Sequence, residues 1–294
     1  MTTRPGIIGG EFGSLARVVV KLPRDAFRDE ETIDREWRDL NFTEAPDLQK
    51  ALDQYEHFLA LIGSMGAELL MLPASAGTGL DSIYARDASV LTPRGIVLCH
   101  MGKPQRVHEP AAQGEAFATW GIPIAGAIEP PGLIEGGDVV WLDERTVAVG
   151  RGYRTNDEGI RQYRKILGDM VDELFVVPLP HHRGPGDVFH LMSIISPVDR
   201  DLAVVYSPLM PVPFREALQA RGLSLVEVPD EEFDAMGANV LAIAPRHCVM
   251  VEGSPKTRAR LEAAGAKVHT YDGSEISLKG GGGPTCLTRP VNRR

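Results

Sequence analysis

The sequence predicts an α/β fold in which a single domain, residues 1–294, forms a ring of about five similar blades. Three observations lead to this prediction. Four segments repeat the pattern strand, tight turn, strand; a helix and a further strand lie between successive hairpins; and one strand near the N-terminus has no repeat of its own. Pairing that strand with the last repeat would close the ring and leave no open sheet edge, as in a propeller.

The four hairpins are recognised by apolar, β-branched runs on both sides of a polar turn. They span residues 88–99, 139–150, 193–206 and 239–251. Their first residues lie roughly 45 to 55 positions apart, a period within the range of repeat architectures. We therefore expect each hairpin to belong to a different blade.

Five helix–strand units fill the sequence around these hairpins. The helices are predicted over residues 46–66, 115–121, 156–171, 213–222 and 254–265, and the strands that follow them over 67–73, 122–131, 173–180, 224–230 and 266–272. Asn156 and Asp157 are suitable helix caps, and Gly222 is a helix stop. The fifth unit leads into residues 286–291, and the strand predicted at 14–23 is available to pair with that segment.

The composition, with 43% hydrophobic and 24% charged residues, is normal for a globular protein. A formal net charge of -9 disfavours nucleic acid as a main partner and mildly favours cationic ligands. No apolar run approaches the roughly 20 residues that a membrane-spanning helix needs, and the N-terminal segment lacks the apolar core of a signal peptide. We therefore expect a cytoplasmic protein without a membrane partner.

The cysteines Cys99, Cys248 and Cys286 are odd in number and far apart. This spacing predicts neither a disulfide framework nor a zinc site, and it fits a reducing compartment. Cys99 and Cys248 fall within predicted strands, where we expect them to be core residues. No His, Cys and carboxylate set has the spacing of metal ligands, so neither a metal nor another cofactor is expected.

The loops that lead into the hairpins, and the glycine-rich loop that follows the fifth unit, all end in a polar or reactive side chain. In chain order they end on Asp87, on Asp138 with Glu135 just before it, on His190, on Asn239 and on Cys286. In a closed ring these positions converge near the axis, so they are expected to form one site on loops held by a rigid scaffold. Asn239 is expected to be only a turn residue.

Three members of this set suit covalent catalysis. Cys286 follows a run of four glycines and can act as a nucleophile in its thiolate form. His190 can move a proton to a leaving group and then take one from water. Glu135 can fix the imidazole and stabilise its charged form.

The remaining carboxylates indicate the charge of the ligand. Asp81, Asp87 and Asp138 are too many for a neutral acyl substrate, and several anions in one pocket require a cation. A planar cation with several N–H donors pairs best with carboxylates. The set therefore points to a guanidinium or amidinium group.

Four short motifs resemble a known group of enzymes. "YARD", "LIEGGDVV", "FHL" and "GGPTCLTRP" are similar to motifs of the guanidino-modifying enzymes of the amidinotransferase, or pentein, superfamily. This superfamily contains arginine deiminases, dimethylarginine dimethylaminohydrolases and amidinotransferases. The resemblance covers nearly the whole chain and implies the pentein fold, a pseudo-symmetric propeller of five ββαβ blades. That blade count agrees with the repeat count above.

The resemblance implies a role for five residues. Cys286 resembles the nucleophile that attacks the guanidinium carbon, His190 the general acid and base, and Glu135 the acid that completes the triad. Asp87 resembles the carboxylate that binds the guanidinium nitrogens, with Asp81 as a supporting acid.

Other positions bear on the identity of the substrate. Arg106 and Arg154 match the two arginines that bind the substrate α-carboxylate in dimethylaminohydrolases, where a guanidinium can pair with it in bidentate fashion. Met192 stands where arginine deiminases have a second guanidinium-binding Asp, and an apolar side chain there leaves room for an N-alkyl group. Arg86, in contrast, resembles the deiminases. The substrate therefore stays open between methylated and unmodified arginine.

The leading hypothesis is a cysteine-dependent hydrolase of a guanidino compound. N-methylated arginine or arginine would give citrulline and an amine or ammonia through a covalent thiouronium on Cys286. The alternative is an amidinotransferase, in which an acceptor amine replaces water. A third hypothesis is a non-catalytic propeller that binds a guanidinium. The resemblance also suggests a homodimer.

Overall fold

Residues 10–294, which a computed structural model describes, form five three-stranded sheets. The strands are β1 (Leu15–Val20), β2 (Glu68–Met71), β3 (Ser89–Thr92), β4 (Gly95–Leu98), β5 (Ile124–Ala127), β6 (Val139–Trp141), β7 (Thr146–Arg151), β8 (Glu173–Pro178), β9 (Ile195–Asp199), β10 (Leu202–Val205), β11 (Ser224–Glu227), β12 (Leu241–Ala244), β13 (His247–Val251), β14 (Lys267–Tyr271) and β15 (Arg289–Arg293). Each sheet has an antiparallel pair and a third strand parallel to its central strand.

Helices link the central strand of each sheet to the parallel strand. The helices are α1 (Pro23–Ala26), α2 (Glu30–Glu36), α3 (Leu48–Gly63), α4 (Glu109–Thr119), α5 (Asp157–Leu167), α6 (Val212–Ala220), α7 (Asp230–Phe233) and α8 (Pro255–Ala263). In four sheets the chain order is strand, strand, helix, strand, as in β3, β4, α4 and β5. The ββαβ blade is therefore confirmed.

The first sheet confirms the predicted closure of the ring. Strand β1 pairs antiparallel with β15 through partners such as Val18 and Pro290, and it pairs parallel with β2 on its other side. The two ends of the described chain therefore complete one blade. Because the ring closes in this way, each of the five loops identified from the sequence lies between strands of neighbouring sheets.

Most predicted helices are confirmed, and their ends differ for local reasons. The side chain of Asn156 accepts a hydrogen bond from the backbone N–H of Gly159 at 2.8 Å and caps α5 as expected. Helix α4 begins at Glu109, six residues before the predicted start, because Pro110 lies in the first turn, where its missing N–H costs nothing. The helices α1, α2 and α7 were not predicted, since four to seven residues carry little helical periodicity.

The central strands are buried on both faces. All four residues of β10 and the first five of β7 are buried, so their sequences are continuous apolar runs instead of alternating patterns. Helix α4 packs against β4 and β5, α5 packs against β7, and α8 packs against β14 and β11. Within residues 10–294, no helix has both the length and the apolar character needed to cross a bilayer.

Candidate active site

Five loops bring their terminal side chains together. Asp87, Glu135, His190, Asn239 and Cys286 are all buried, and each comes from a different loop. The nucleophile candidate and the histidine line the same cavity, whose volume is about 530 Å³. The predicted convergence of these positions is therefore what the structure shows.

Asn239 lies directly beside Cys286. Its Nδ2 donates to the Cys286 Sγ at 3.5 Å, while its Oδ1 accepts from the backbone N–H of Thr285 at 3.0 Å and from the Thr285 hydroxyl at 2.9 Å. The sequence predicted a turn residue here in preference to a catalytic one, and it did not predict this contact with Cys286. The position of Asn239 at the end of its loop fixes only its backbone. Its side chain contacts Thr285, which lies 46 residues further along the chain.

The Cys286 side chain is a thiol in the structure without a ligand. Burial, followed by the negative charge of Asp87, raises its pKa to about 11, although Thr285, Arg86 and Asn239 act in the opposite direction. A cation bound beside Asp87 would cancel the largest electrostatic obstacle to ionisation. Burial and Asp87 therefore both favour the neutral thiol over the thiolate at this position.

The glycine run before Cys286 has a steric role. Gly281 has φ +76°, in the left-handed region that side chains rarely adopt. A Cβ on Gly282 would lie 2.3 Å from the ring of Tyr84. The run therefore lets the backbone turn and pass close to Tyr84 just before it reaches the cysteine.

His190 and Glu135 form a buried ion pair. The imidazole Nε2 lies 2.7 Å from Glu135 Oε2, and Glu135 Oε1 accepts from the backbone N–H groups of Gly102 at 2.9 Å and Lys103 at 3.2 Å. Arg154 Nη1 also lies 3.5 Å from Glu135 Oε2. Burial alone would raise the pKa of Glu135, but His190 and Arg154 hold it well below its usual range.

The same surroundings keep His190 protonated. Burial opposes the charged imidazole, but Asp87, Asp138 and Glu135 outweigh it and raise the pKa of His190 to about 9. Gly137 of the "EGGD" motif allows this arrangement, because a Cβ there would lie 2.5 Å from His190 Nδ1. The imidazolium is therefore available as a proton donor at neutral pH.

Asp87 has one oxygen fixed and one free. Its Oδ2 accepts from Arg106 Nη1 at 2.6 Å. Its Oδ1 is buried without a hydrogen-bond partner among the described residues and lies 3.9 Å from His190 Nδ1. A buried carboxylate oxygen without a partner is costly, so this atom marks a position where a ligand N–H donor would be stabilised.

The cavity wall contains apolar and charged groups. Its lining includes Asn41, Thr43, His182, Arg183, Gly186, Asp187, Val188, Phe189, His190, Met192, Ser193, Phe233, Asp234, Met236, Ala238, Asn239, Leu278, Lys279, Gly280, Gly281 and Cys286. Met192 is an apolar part of the wall near His190, as predicted. The cations of the lining, Arg183 and Lys279, were not singled out from the sequence because they lie on loops without a motif.

Comparison with known proteins adds the family. Residues 26–293 match the family model described as N,N dimethylarginine dimethylhydrolase, eukaryotic. The N(G),N(G)-dimethylarginine dimethylaminohydrolase of Streptomyces coelicolor is 30% identical over 238 residues, which cover 81% of this chain and 84% of that protein. This chain belongs to the dimethylarginine dimethylaminohydrolase family. Family membership makes it a hydrolase that acts on C–N bonds of linear amidines and hence on guanidino compounds.

A further relative and a solved structure are also similar to this chain. The arginine deiminase of Mycobacterium marinum is 33% identical over 191 residues, 54% of this chain and 46% of the deiminase, so the chain spans about half of that relative. The structure of the dimethylarginine dimethylaminohydrolase from Pseudomonas aeruginosa complexed with citrulline has a TM-score of 0.76. Its sequence is 22% identical, and the matched region covers 96% of this chain and 100% of that chain. The shared fold is the five-bladed pentein propeller.

Arg106 does not contact the cavity, which differs from the prediction for a member of this family. Its guanidinium lies between Glu109, at 2.9 and 2.8 Å, and Asp87, and it also donates to the carbonyls of Asp81 and Tyr84. All three of its nitrogens donate to these groups, and the residue is not part of the cavity lining. In this structure Arg106 instead holds Asp87.

Arg154, Asp81 and Asp138 also lie behind the cavity and do not line it. Arg154 donates to the carbonyl of Asp187 at 3.3 Å and supports Glu135, and Asp81 accepts from Lys103 Nζ at 2.6 Å. Asp138 was expected to bind substrate, but both its oxygens are occupied, by the hydroxyl of Thr155 at 2.6 Å and the N–H of Leu191 at 2.9 Å. We therefore propose positioning roles for these residues.

Asp87, Glu135 and His190 offer ligand atoms within 4.8 Å of one another, close enough to surround a metal ion. A metal ligand must be the neutral imidazole, whereas the raised pKa keeps His190 protonated below about pH 9. His190 Nε2 and Glu135 Oε2 lie 2.7 Å apart, so a metal ion would have to displace the proton between them and separate this pair. The geometry suits acid–base chemistry better than metal binding.

The ion pair between His190 and Glu135 predicts that the stability of the folded protein depends on pH. A group whose pKa rises from 6.5 to about 9 on folding contributes stability that is complete below pH 6.5 and is lost as the pH rises through 9. The loss is on the order of 3 kcal/mol. Urea unfolding at pH 6 and at pH 9.5 would measure it. We expect the difference between these two pH values to shrink in His190→Gln; an equal difference in both proteins would contradict the assignment.

Proposed function

We propose that this protein hydrolyses N-methylated arginine or arginine to citrulline and an amine or ammonia. The observation that carries the proposal is the shared cavity of Cys286 and His190. Asp87 lies just behind this lining, and its unpartnered Oδ1 is 3.9 Å from His190 Nδ1. A guanidinium donating to Asp87 would place its carbon between a nucleophile and a proton donor. That is the arrangement a covalent displacement requires.

The proposed first half-reaction replaces a C–N bond by a C–S bond. The guanidinium brings a positive charge beside Cys286 and Asp87, which favours loss of the thiol proton to solvent. The thiolate then attacks the guanidinium carbon. His190 donates its proton to the departing nitrogen, the C–N bond breaks, and the amine or ammonia leaves a thiouronium on Cys286.

The second half-reaction releases the ureido product. A water molecule enters where the amine left, and the now neutral His190 takes a proton from it as it attacks the same carbon. The C–S bond breaks and the thiolate returns. Glu135 stabilises the imidazolium formed at this step, since its carboxylate is 2.7 Å from the imidazole and is held by two backbone N–H groups.

The lining of the cavity supports an amino-acid tail and an alkylated guanidine. Arg183 and Lys279 are cations on the wall that an α-carboxylate could reach, and Asp234, which pairs with Arg183 at 2.8 Å, could receive an α-amino group. Met192 is apolar and flexible, so it suits an N-methyl group better than a second charged contact would. These features favour methylated arginine over arginine.

A panel of guanidino compounds tests the proposal. We expect mass spectrometry to detect citrulline from dimethylarginine, monomethylarginine or arginine without any added acceptor amine. Agmatine, which lacks the α-carboxylate, should be a poorer substrate and is the control for the tail. A ureido product that never forms, or ornithine release that requires added glycine, ornithine or lysine, would contradict hydrolysis and would support an amidinotransferase.

A further inference from the structure

Three arginines are buried together outside the active-site cavity. Arg86, Arg289 and Arg293 are each no more than 3% exposed. The carboxylate of Glu11 accepts from Arg86 Nη1 at 3.2 Å and acts electrostatically on all three arginines. The catalytic scheme does not use any of these four residues.

The three guanidinium groups are anchored on backbone carbonyls. Arg86 Nε donates to the carbonyl of Thr285 at 2.7 Å, Arg289 Nη2 to that of Arg86 at 2.7 Å, and Arg293 Nη1 to that of Ala242 at 2.9 Å. The carbonyls of Thr285 and Arg86 each precede a residue of the candidate site, Cys286 and Asp87. The cluster therefore supports the backbone of both.

Each guanidinium still has an unused donor. Arg86 Nη2, Arg289 Nε and Arg293 Nη2 are buried and lack a hydrogen-bond partner among residues 10–294. Unpartnered donors are most costly when they belong to charged groups. Three such nitrogens in one cluster mark a place where an acceptor is missing.

The charges of the cluster do not balance. Three guanidinium groups face the single carboxylate of Glu11. Burial and the neighbouring Arg86 lower the pKa of Arg289 to about 9, and burial lowers that of Arg293 to about 10 although Glu11 opposes it. A second negative charge would relieve this repulsion.

Two small voids lie within the cluster. One, of about 10 Å³, is bordered by Glu11, Arg86, Arg293 and Thr285. The other, also about 10 Å³, is bordered by Glu11, Arg289 and Arg293. Each has space for roughly one particle of the size of a water molecule. A monatomic anion is somewhat larger and would need the side chains to shift slightly, whereas sulfate, phosphate or a carboxylic acid would not fit.

We propose that the arginine cluster binds one monatomic anion of the halide class in one of these voids, held by the free N–H groups of Arg293 and of Arg86 or Arg289. The anion neutralises part of the excess charge and stiffens the carbonyl anchors of Thr285 and Arg86. The anion site does not depend on the proposed substrate. A failed test of the anion site would therefore not contradict the catalytic scheme, and the reverse also holds.

Thermal unfolding in matched salts tests the site in solution. At constant ionic strength, replacing gluconate by chloride or bromide should raise the melting temperature by about 2–5 °C, because a ligand of the folded state stabilises it. Arg293→Leu should abolish the difference between the salts, whereas the exposed Arg258→Leu, a matched control, should keep it. Equal melting temperatures in all salts for the wild type would overturn the proposal.

Glu11→Gln provides a variant that does not remove a proposed ligand. Loss of the Glu11 carboxylate should make the protein more dependent on halide, so that the difference between bromide and gluconate becomes larger than in the wild type. An unchanged difference would contradict the proposal even if Arg293→Leu fails to fold.

Crystals grown in bromide locate the ion directly. We expect an anomalous peak within roughly 3.5 Å of the free nitrogen of Arg293. Peaks confined to the protein surface, with only water density in both voids, would show that any salt effect comes from an adventitious ion only and would overturn the assignment.

Discussion

Replacing Cys286 by Ser is expected to lower turnover of the best guanidino substrate by roughly 10⁴-fold or more, because an alcohol at this position is a far weaker nucleophile than a thiolate. The side chain keeps its size, so Asn239 and Thr285 retain a partner and the fold should be unaffected. Turnover under saturating substrate, together with circular dichroism of both proteins, would measure this.

The matched control is Cys248→Ser, which changes a buried cysteine on strand β13, away from the cavity. We expect it to lose stability while its kcat stays within a few-fold of the wild type. Acid-quenched wild-type protein should also carry, on the peptide that contains Cys286, a thiouronium adduct with the mass of the substrate minus the departed amine or ammonia. Full turnover by Cys286→Ser would disprove the nucleophile assignment, whereas absence of an adduct alone would show only that its breakdown is fast.

His190→Gln is expected to lower kcat by roughly 10² to 10⁴-fold, the usual size of a general acid–base contribution. Because the pKa of His190 is raised to about 9, wild-type kcat should fall as the pH rises through that value, when the proton donor is lost. The variant should lose this alkaline fall. Initial rates from pH 6 to 10 would measure both effects.

His269→Gln is the control for that substitution, since His269 lies on β14 against His247 and outside the cavity. Its rates and pH profile should match those of the wild type. A His190→Gln variant with kcat within twofold of the wild type would show that another group supplies the proton.

The repeat made the fold predictable from the sequence. Each hairpin has apolar runs that cannot be buried unless its neighbours stack on it, so the period of the pattern specifies the ring. The cysteine, histidine and glutamate candidates could also be predicted, because Cys286 and His190 end a loop at the same point of their repeats and Glu135 lies three residues before such an end. The regular elements and the positions that repeat could therefore be predicted from the sequence pattern.

The sequence pattern does not indicate which side chains from distant blades will contact each other. Arg106 was expected to face the substrate, yet its nitrogens are satisfied by Glu109 and Asp87. Asn239 was expected to be a turn residue, yet it contacts Cys286, 47 residues further along the chain. Loop ends indicate where a backbone leads, but only packing in three dimensions decides which groups a side chain meets.

The closure of the ring by β1 and β15 has a consequence for biosynthesis. Strand β15 follows Cys286, and it is held by contacts such as that of Arg293 with Gly13, residues 280 positions apart. A ribosome-bound chain that has exposed four complete blades holds the acid and the histidine but lacks the nucleophile and the last strand. Because pairing of such distant segments is slow, completion of the active site should be a late step of folding.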